Sequence, residues 1–208
     1  IPREGERTYG LSVSPDGQWL ATASGQPGRL GEVRLFNTST GKLSAVMATA
    51  TDVMLDVAFS PQGKQLLAGA ADGQVRVIDF ASRKVERLLP LHTDWVNSVA
   101  WDHNGSRIAT ASRDHTAKVF DLTVGKSIAT YAGHGENVRG IVFHPTAVNE
   151  MFSTGMDNKL RQWKISDNKT NLPHMLPSER KFEEKVRSFG INQNSLIVAY
   201  DVKGIFSS

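Results

Sequence analysis

The chain has 208 residues, a formal net charge of +3 and a hydrophobic fraction of 39%, a composition typical of a globular protein with a sizeable core. It contains no cysteine, which excludes disulfides, thiolate metal sites and thiol nucleophiles within these residues. No apolar run approaches the roughly 18 residues that a membrane helix needs, so we expect no membrane span.

Four copies of one pattern follow one another along the chain. Each copy has a longer apolar segment followed by a short β-rich run. The longer segments are 9–24, 54–70, 96–112 and 138–155, and the short runs are 31–37, 73–80, 116–122 and 158–165. The register is tight, because one apolar position in the short runs recurs at intervals of 42, 42 and 43 residues: Phe36, Ile78, Phe120 and Trp163. A fifth copy opens at 185 and is incomplete.

Each copy predicts several short strands. Apolar residues alternate or run over a few positions, and Gly, Pro, Asp and Asn bound these runs. The stretches SPDG, SPQG and DHNG are turn sequences in the first three copies, with glycine or asparagine supplying the positive φ of a tight reversal. Four short strands in a repeat of about 40 to 45 residues are typical of a β-propeller blade. The sequence therefore predicts an all-β fold.

The repeats resemble those of the WD-repeat family. In that family a histidine precedes the first strand and a serine or threonine lies on the second. An aspartate occupies the turn before the third strand, which ends with an aromatic residue, usually Trp-Asp. The fourth copy matches fully, the third has phenylalanine for tryptophan, and the second keeps the turn aspartate. The matching residues are His134, Ser153, Asp157 and Trp163, then His92, Thr110, Asp114 and Phe120, then Asp72.

The resemblance implies a structural role for these residues. His134, Ser153, Asp157 and Trp163 would form a buried chain with every polar group satisfied. Asp114 would likewise accept hydrogen bonds in its turn, whereas His115 has no counterpart in the other copies and should face solvent. The pair Asp114–His115 is therefore interpreted as structural rather than catalytic.

We expect one WD-repeat β-propeller over 1–208, built from four-stranded antiparallel blades. Four blades would be complete and a fifth partial, at about 7–49, 53–90, 95–132, 137–178 and 184–208. Because the family usually closes rings of seven or eight blades, we expect the chain to be a piece of a larger ring; completion by another chain or by self-association is the alternative.

No motif predicts a catalytic centre, a cofactor or a metal site. Gly125-Lys126-Ser127 has the ending of a phosphate-binding loop, but the first glycine of that motif is replaced by Phe120. The six histidines show no metal-binding spacing. The glycine-rich stretch 25–31 follows a strand without opening a helix. It is four residues longer than its counterparts, and we expect it to form a wall at the rim of one face.

The resemblance also implies a binding surface. In the family, the loops that precede first strands meet the turns between second and third strands on one face, the top face. The positions that correspond to this face are Arg7, Tyr9, Val53, Leu55, Ala71, Trp95, Asn97, Arg113, Asn137, Arg139, Met156, Lys185 and Arg187. The set is rich in residue types that dominate interfaces and holds no carboxylate, which favours a partner with acidic or mixed-polarity segments.

The predicted function is a non-catalytic scaffold that presents a rigid top face to a protein partner. One alternative is an enzyme- or cofactor-associated propeller of a larger protein, such as a periplasmic protein linked to a cytochrome. Another is binding of an anionic surface or nucleic acid through the top-face arginines, although the modest net charge argues against nucleic acid. The compartment stays open between cytoplasm and periplasm.

Overall fold

The computed structural model describes residues 7–165 and, beyond them, the backbone of five short strands between 174 and 207. The described residues contain strands and turns and no helix, so the expected all-β fold is confirmed. The described residues therefore contain no helix that is long and apolar enough to cross a membrane.

The first two repeats form two four-stranded antiparallel sheets, each with its strands in sequence order. The first sheet contains β1 (Arg7–Val13), β2 (Trp19–Gln26), β3 (Leu30–Asn37) and β4 (Leu43–Ala50). The second contains β5 (Met54–Phe59), β6 (Gln65–Ala70), β7 (Gln74–Asp79) and β8 (Lys84–Pro90). This is the up-and-down order of a WD-repeat blade.

The third and fourth repeats follow the same plan. The third sheet contains β9 (Val96–Trp101), β10 (Arg107–Ser112), β11 (Ala117–Asp121) and β12 (Lys126–Tyr131). The fourth contains β13 (Val138–Phe143), β14 (Glu150–Gly155) and β15 (Lys159–Lys164), and β15 pairs with both β16 (His174–Met175) and β17 (Arg180–Lys181). A three-stranded sheet contains β18 (Ser188–Ile191), β19 (Ile197–Tyr200) and β20 (Ile205–Ser207). Most of the predicted fifth blade lies outside the described residues.

The turn between the first and second strands has one geometry in the first three repeats. A glycine with φ near 70° stands at its corner, at Gly17, Gly63 and Gly105. The residue three positions earlier accepts a hydrogen bond from that glycine N–H through its carbonyl oxygen. The same residue also donates its own N–H to the carbonyl that opens the next strand, at 2.8, 2.8 and 2.9 Å in the three repeats. The turn sequences recognised in the chain therefore produce one repeated hairpin.

The described residues divide into two compact units, one up to Val99 and one from Ala100 onward. In the first unit, small and branched side chains of β2 and β3 pack against the second sheet. The main contributors are Ala21, Ala23, Val33, Leu35, Leu66, Ala68, Ala70 and Ile78. In the second unit the third and fourth sheets form a cluster that includes Ala109, Ala111, Val119, Met151 and Trp163. In both clusters the contributing residues of a strand are mostly two positions apart, so that they lie on one face of the sheet, as the sequence pattern predicts.

A partly buried residue, Asp56, places its carboxyl group on the second blade's first strand. Asp56 Oδ1 accepts the N–H of Val57 at 2.9 Å, and Oδ2 accepts the N–H of Val99 at 2.9 Å. A side chain added at Gly10 would collide with Asp56, so β1 approaches it closely. Burial raises the pKa of the Asp56 carboxyl to about 6, although the hydrogen bonds from Val99, Ser98 and Val57 favour its charged form.

We expect acidification from about pH 7 to about pH 4.5 to stabilise the fold through Asp56. Its folded pKa of about 6 exceeds the ordinary value of 3.8. Between these values the folded chain binds a proton that the unfolded chain lacks. This contribution to the free energy of unfolding is therefore largest at low pH and is lost as the pH rises through 6. Its size is on the order of 2 kcal/mol. Urea unfolding of the wild type and of Asp56→Asn at both pH values measures it.

The control is Asp16→Asn. The hydroxyl of Ser14 donates to Asp16 and lowers the pKa of that carboxyl. The contribution of Asp16 to the free energy of unfolding is therefore lost on acidification, whereas that of Asp56 is gained. If acidification from pH 7 to pH 4.5 stabilises the wild type no more than it stabilises Asp56→Asn, the pKa of Asp56 is not raised in the folded chain.

Candidate functional site

In two blades a backbone hydrogen bond joins the loop before the first strand to the turn before the third strand. These are the two kinds of connection that the predicted top face contains. In the second blade, Ala71 N–H donates to the carbonyl of Val53 at 2.9 Å. In the fourth blade, Met156 N–H donates to the carbonyl of Asn137 at 2.8 Å. These residues occupy the same repeat positions. Within each of these blades the loop that precedes the first strand is therefore fixed beside the turn that precedes the third.

In the first unit most predicted top-face residues are accessible. Arg7 is exposed, and the side chain of Tyr9 is 42% exposed. Those at Leu55, Ala71, Trp95 and Asn97 are partly exposed. Val53 is fully buried, so its side chain is not available to a partner and we omit it from the surface. Val53 directly precedes β5, and its carbonyl oxygen accepts the N–H of Ala71.

In the second unit, Arg113 is exposed, and Asn137, Arg139 and Met156 are partly exposed. The Asn137 amide also approaches the Met156 sulfur, with 3.5 Å between Nδ2 and Sδ. This contact brings two predicted positions of the fourth blade together through their side chains. Lys185 and Arg187 lie outside the described residues.

A buried polar network lies beneath this surface in the fourth blade. His134 Nε2 is 2.8 Å from Ser153 Oγ, and its Nδ1 is 3.1 Å from Asp157 Oδ1. Arg161 donates from Nη1 to Asp157 Oδ2 at 2.6 Å. The N–H of Gly135 also donates to that carboxylate. Burial of Asp157 disfavours its charge, but the hydrogen bonds from His134 and Arg161 outweigh that effect and lower the pKa of the carboxyl.

The network differs from the expected one in its last member. Trp163 is fully buried, but among the described residues its Nε1 has no hydrogen-bond partner. Its ring instead stacks on Tyr131, with centroids 5.4 Å apart and planes at 17°. Arg161 takes the place that the resemblance gave to the tryptophan. The expectation that every polar group of the chain is satisfied therefore does not hold for the indole.

The remaining network residues have local roles. Asp72 accepts the Gln74 N–H and pairs with the Arg76 guanidinium at 2.7 Å. Asp114 accepts both the N–H and the hydroxyl of Thr116. The hydroxyl of Thr110 donates to the carbonyl of Lys118, and His92 and Phe120 are buried. His115 is exposed and has a φ of 67°, so it is a turn residue that faces solvent, as expected.

A recurrent cation on the third strand was not predicted from the sequence. Arg34, Arg76, Lys118 and Arg161 are spaced by 42, 42 and 43 residues, the same spacing as the apolar position that ends the run. Arg76 and Arg161 hold the turn aspartates four residues before them. The first blade lacks that aspartate, and Arg34 pairs with Glu32 at 2.6 Å instead. The period itself was the signal that could have revealed these residues.

Among the residues that the structure describes, no three histidine or acidic side chains cluster as a metal ion would require.

The model of the WD domain, G-beta repeat, matches three consecutive stretches of the chain, 41–79, 83–121 and 125–164. Together these stretches cover more than half of the sequence. Each match begins in the turn before one blade's fourth strand and ends with the third strand of the next blade, so the matched period equals the structural repeat.

A separate similarity links a short part of the chain to sulfurtransferases. The mitochondrial thiosulfate/3-mercaptopyruvate sulfurtransferase 1 of Arabidopsis thaliana is 52% identical over 44 residues, which are 21% of this chain and 12% of that protein. Its second Arabidopsis counterpart is 50% identical over 44 residues, 21% of this chain and 13% of that protein. A probable 3-mercaptopyruvate sulfurtransferase of Schizosaccharomyces pombe is 48% identical over 42 residues, 20% of this chain and 14% of that protein. The chain thus spans about one eighth of the length of these relatives.

Replacing Asp157 by alanine is expected to destabilise the fourth blade by about 2–4 kcal/mol. The substitution leaves the Arg161 guanidinium, whose side chain is only 4% exposed, without its carboxylate, and a buried charge without a partner is costly. Urea unfolding of the full chain measures the loss.

The matched control is Glu136→Ala, an exposed carboxylate in the same blade, for which we expect a change within about 0.5 kcal/mol. Equal effects of the two substitutions would show that the Asp157 network does not stabilise the blade.

Proposed function

The chain belongs to the WD-repeat family, whose repeats mediate protein–protein interactions, and on that premise we propose that it is a non-catalytic scaffold that presents its top face to a protein partner. In this proposal the blades supply rigidity and the loop ends supply recognition. The partner carries an acidic or mixed-polarity segment.

The observation that carries the proposal is the recurrent backbone bond between the top-face loops. It occurs from Ala71 to Val53 and from Met156 to Asn137. Each loop is therefore fixed before a partner arrives, and the conformational entropy lost on binding is small. Side chains that follow these fixed positions, such as Arg139, keep a defined direction.

The chemistry of the surface supports a protein partner. Trp95, Tyr9 and Arg139 are of the types that contribute most to binding at interfaces. Each of these three side chains is at least partly exposed. The top-face set contains arginines and no carboxylate, so complementarity favours acidic groups on the partner.

The test is site-specific cross-linking in an extract of the source organism. A photoreactive aromatic amino acid, which keeps a ring at the position, replaces Trp95 in one variant and Lys64 in another, since Lys64 is exposed near the turn at the opposite end of the second blade. We expect a discrete protein adduct with the first variant and none with the second. In a separate pull-down with the tagged chain and no cross-linker, Trp95→Ala and Arg139→Ala should each reduce recovery of that protein at least about tenfold.

Three outcomes would contradict the proposal. Equal adducts from both positions would show that the top face is not the surface used. Loss of the adduct after nuclease treatment, with a steep fall in capture at higher salt, would favour nucleic-acid binding. If the alanine variants lose both thermal stability and capture of the partner, these residues contribute to stability alone, so the thermal unfolding of each variant is compared with that of the wild type.

The similarity to sulfurtransferases favours a second candidate function. In this alternative we propose that the repeats are the binding module of a larger protein that also has a sulfurtransferase part, since the similarity covers only 12% of the first enzyme. The chain has no cysteine, so a thiol for sulfur transfer would come from outside these 208 residues.

An assay of the native polypeptide from its source for sulfur transfer from thiosulfate tests this candidate. Activity that co-purifies with the repeats would support it, and a purified native polypeptide without such activity would contradict it.

A further inference from the structure

The hairpin between β2 and β3 is longer than its counterparts. Both of its strands have eight residues, whereas the corresponding strands of the other blades have six or five. Three residues, 27–29, form its tip. The glycine-rich insertion predicted from the sequence therefore extends a regular hairpin beyond the end of the blade rather than forming an irregular loop.

This hairpin is held in place at its tip and at its base. The Gly28 N–H donates to Asp52 Oδ1 at 2.8 Å, and the Arg29 N–H donates to the Gln26 carbonyl at 3.1 Å. A side chain at Gly31 would collide with the backbone of Asp52 and Met54. The hairpin therefore packs directly against the connection between β4 and β5, and its position is fixed without a partner.

The end of the blade that carries the hairpin exposes two cations and two large apolar side chains. Arg29 is exposed and Leu30 is 37% exposed. Arg7 pairs through its backbone with Gly25 at the base of the hairpin, so its side chain and Tyr9 belong to the same end. We name Arg7, Tyr9, Arg29 and Leu30 the hairpin surface.

The two cations of the hairpin surface are not used by the fold. Within the described residues neither Arg7 nor Arg29 pairs with a carboxylate, and Arg29 donates a 3.4 Å hydrogen bond from Nη1 to Gln26 Oε1. Arg34 on the same blade is by contrast buried and paired with Glu32. The nearby acid, Asp52, is occupied by the backbone N–H groups of Gly28 and Val53.

We propose that the hairpin surface docks an extended acidic segment of a protein partner that also carries an apolar side chain. The proposal rests on the scaffold function above and names the chemistry of the partner. Arg7 and Arg29 offer charge to the acidic groups, and Leu30 and Tyr9 offer an apolar contact. Two cations are few for a nucleic-acid backbone, which typically engages about six to ten phosphates, and the exposed leucine has no role there.

Fluorescence anisotropy of the full chain tests the proposal with a labelled twelve-residue probe of glutamates and two leucines. We expect saturable binding that weakens at least about tenfold in Arg29→Glu and further in Arg7→Glu/Arg29→Glu, because repulsion replaces attraction. Leu30→Ser should weaken binding about threefold or more with no change in charge. All four positions are exposed, so the thermal midpoints should match the wild type.

The matched control is Lys42→Glu, which makes the same charge change at an exposed position at the other end of the same blade. It should alter affinity less than about twofold. An equal loss in Lys42→Glu would show that net charge alone is sensed and would overturn the proposal. So would equal binding of a probe with lysine in place of glutamate, or tighter binding of a twelve-nucleotide single-stranded DNA.

The two proposals can fail separately. If the partner captured at Trp95 is retained fully by Arg7→Glu/Arg29→Glu and the acidic probe does not bind, the hairpin inference fails and the scaffold function stands. If the probe binds as expected but no adduct forms at Trp95, the hairpin surface stands without the wider top face.

Discussion

The ion pair between a turn carboxylate and a third-strand cation is the interaction on which the exposed end of the second and fourth blades depends. Arg76 with Asp72 and Arg161 with Asp157 are separated by four residues and are nearly removed from water. Each pair joins the turn to the strand that leaves it. The residue before each aspartate, Ala71 or Met156, donates its N–H to the neighbouring loop. The carboxylate therefore fixes the backbone of the positions at which a partner would bind.

In the first blade the third-strand cation forms a different ion pair. It has no aspartate in the turn, and Arg34 bonds Glu32, which lies two residues away on the same strand. The hairpin of this blade is also longer than its counterparts, and the Gly28–Asp52 bond holds its tip from the adjacent connection. The first blade thus has both a different ion pair and a longer hairpin at the end where the other blades have the turn aspartate.

Much of the fold follows from the sequence because it depends on local chemistry repeated at a fixed period. Turn glycines such as Gly63 and alternating apolar residues determine where strands begin and end, and both are visible in the letters. The side-chain partners were less predictable. The resemblance places Trp163 in one buried chain with Ser153, but its ring stacks on Tyr131 and Arg161 takes part in the network instead. Val53 occupies a predicted top-face position, but its side chain is fully buried, which its place in a motif did not reveal.

Asp56 shows what the repeat pattern cannot predict at all. The corresponding positions of the other blades hold Gly10, Ser98 and Gly140, so no period marks the residue. Its carboxylate accepts backbone N–H groups from two strands while burial raises its pKa, a cost that the unfolded chain does not have. The positions proposed for recognition are similarly unrepeated, since Arg29 and Trp95 have no counterparts of the same type in neighbouring blades. In this proposal, side chains that recur hold the blades together, and exposed side chains that differ between blades distinguish one partner from another.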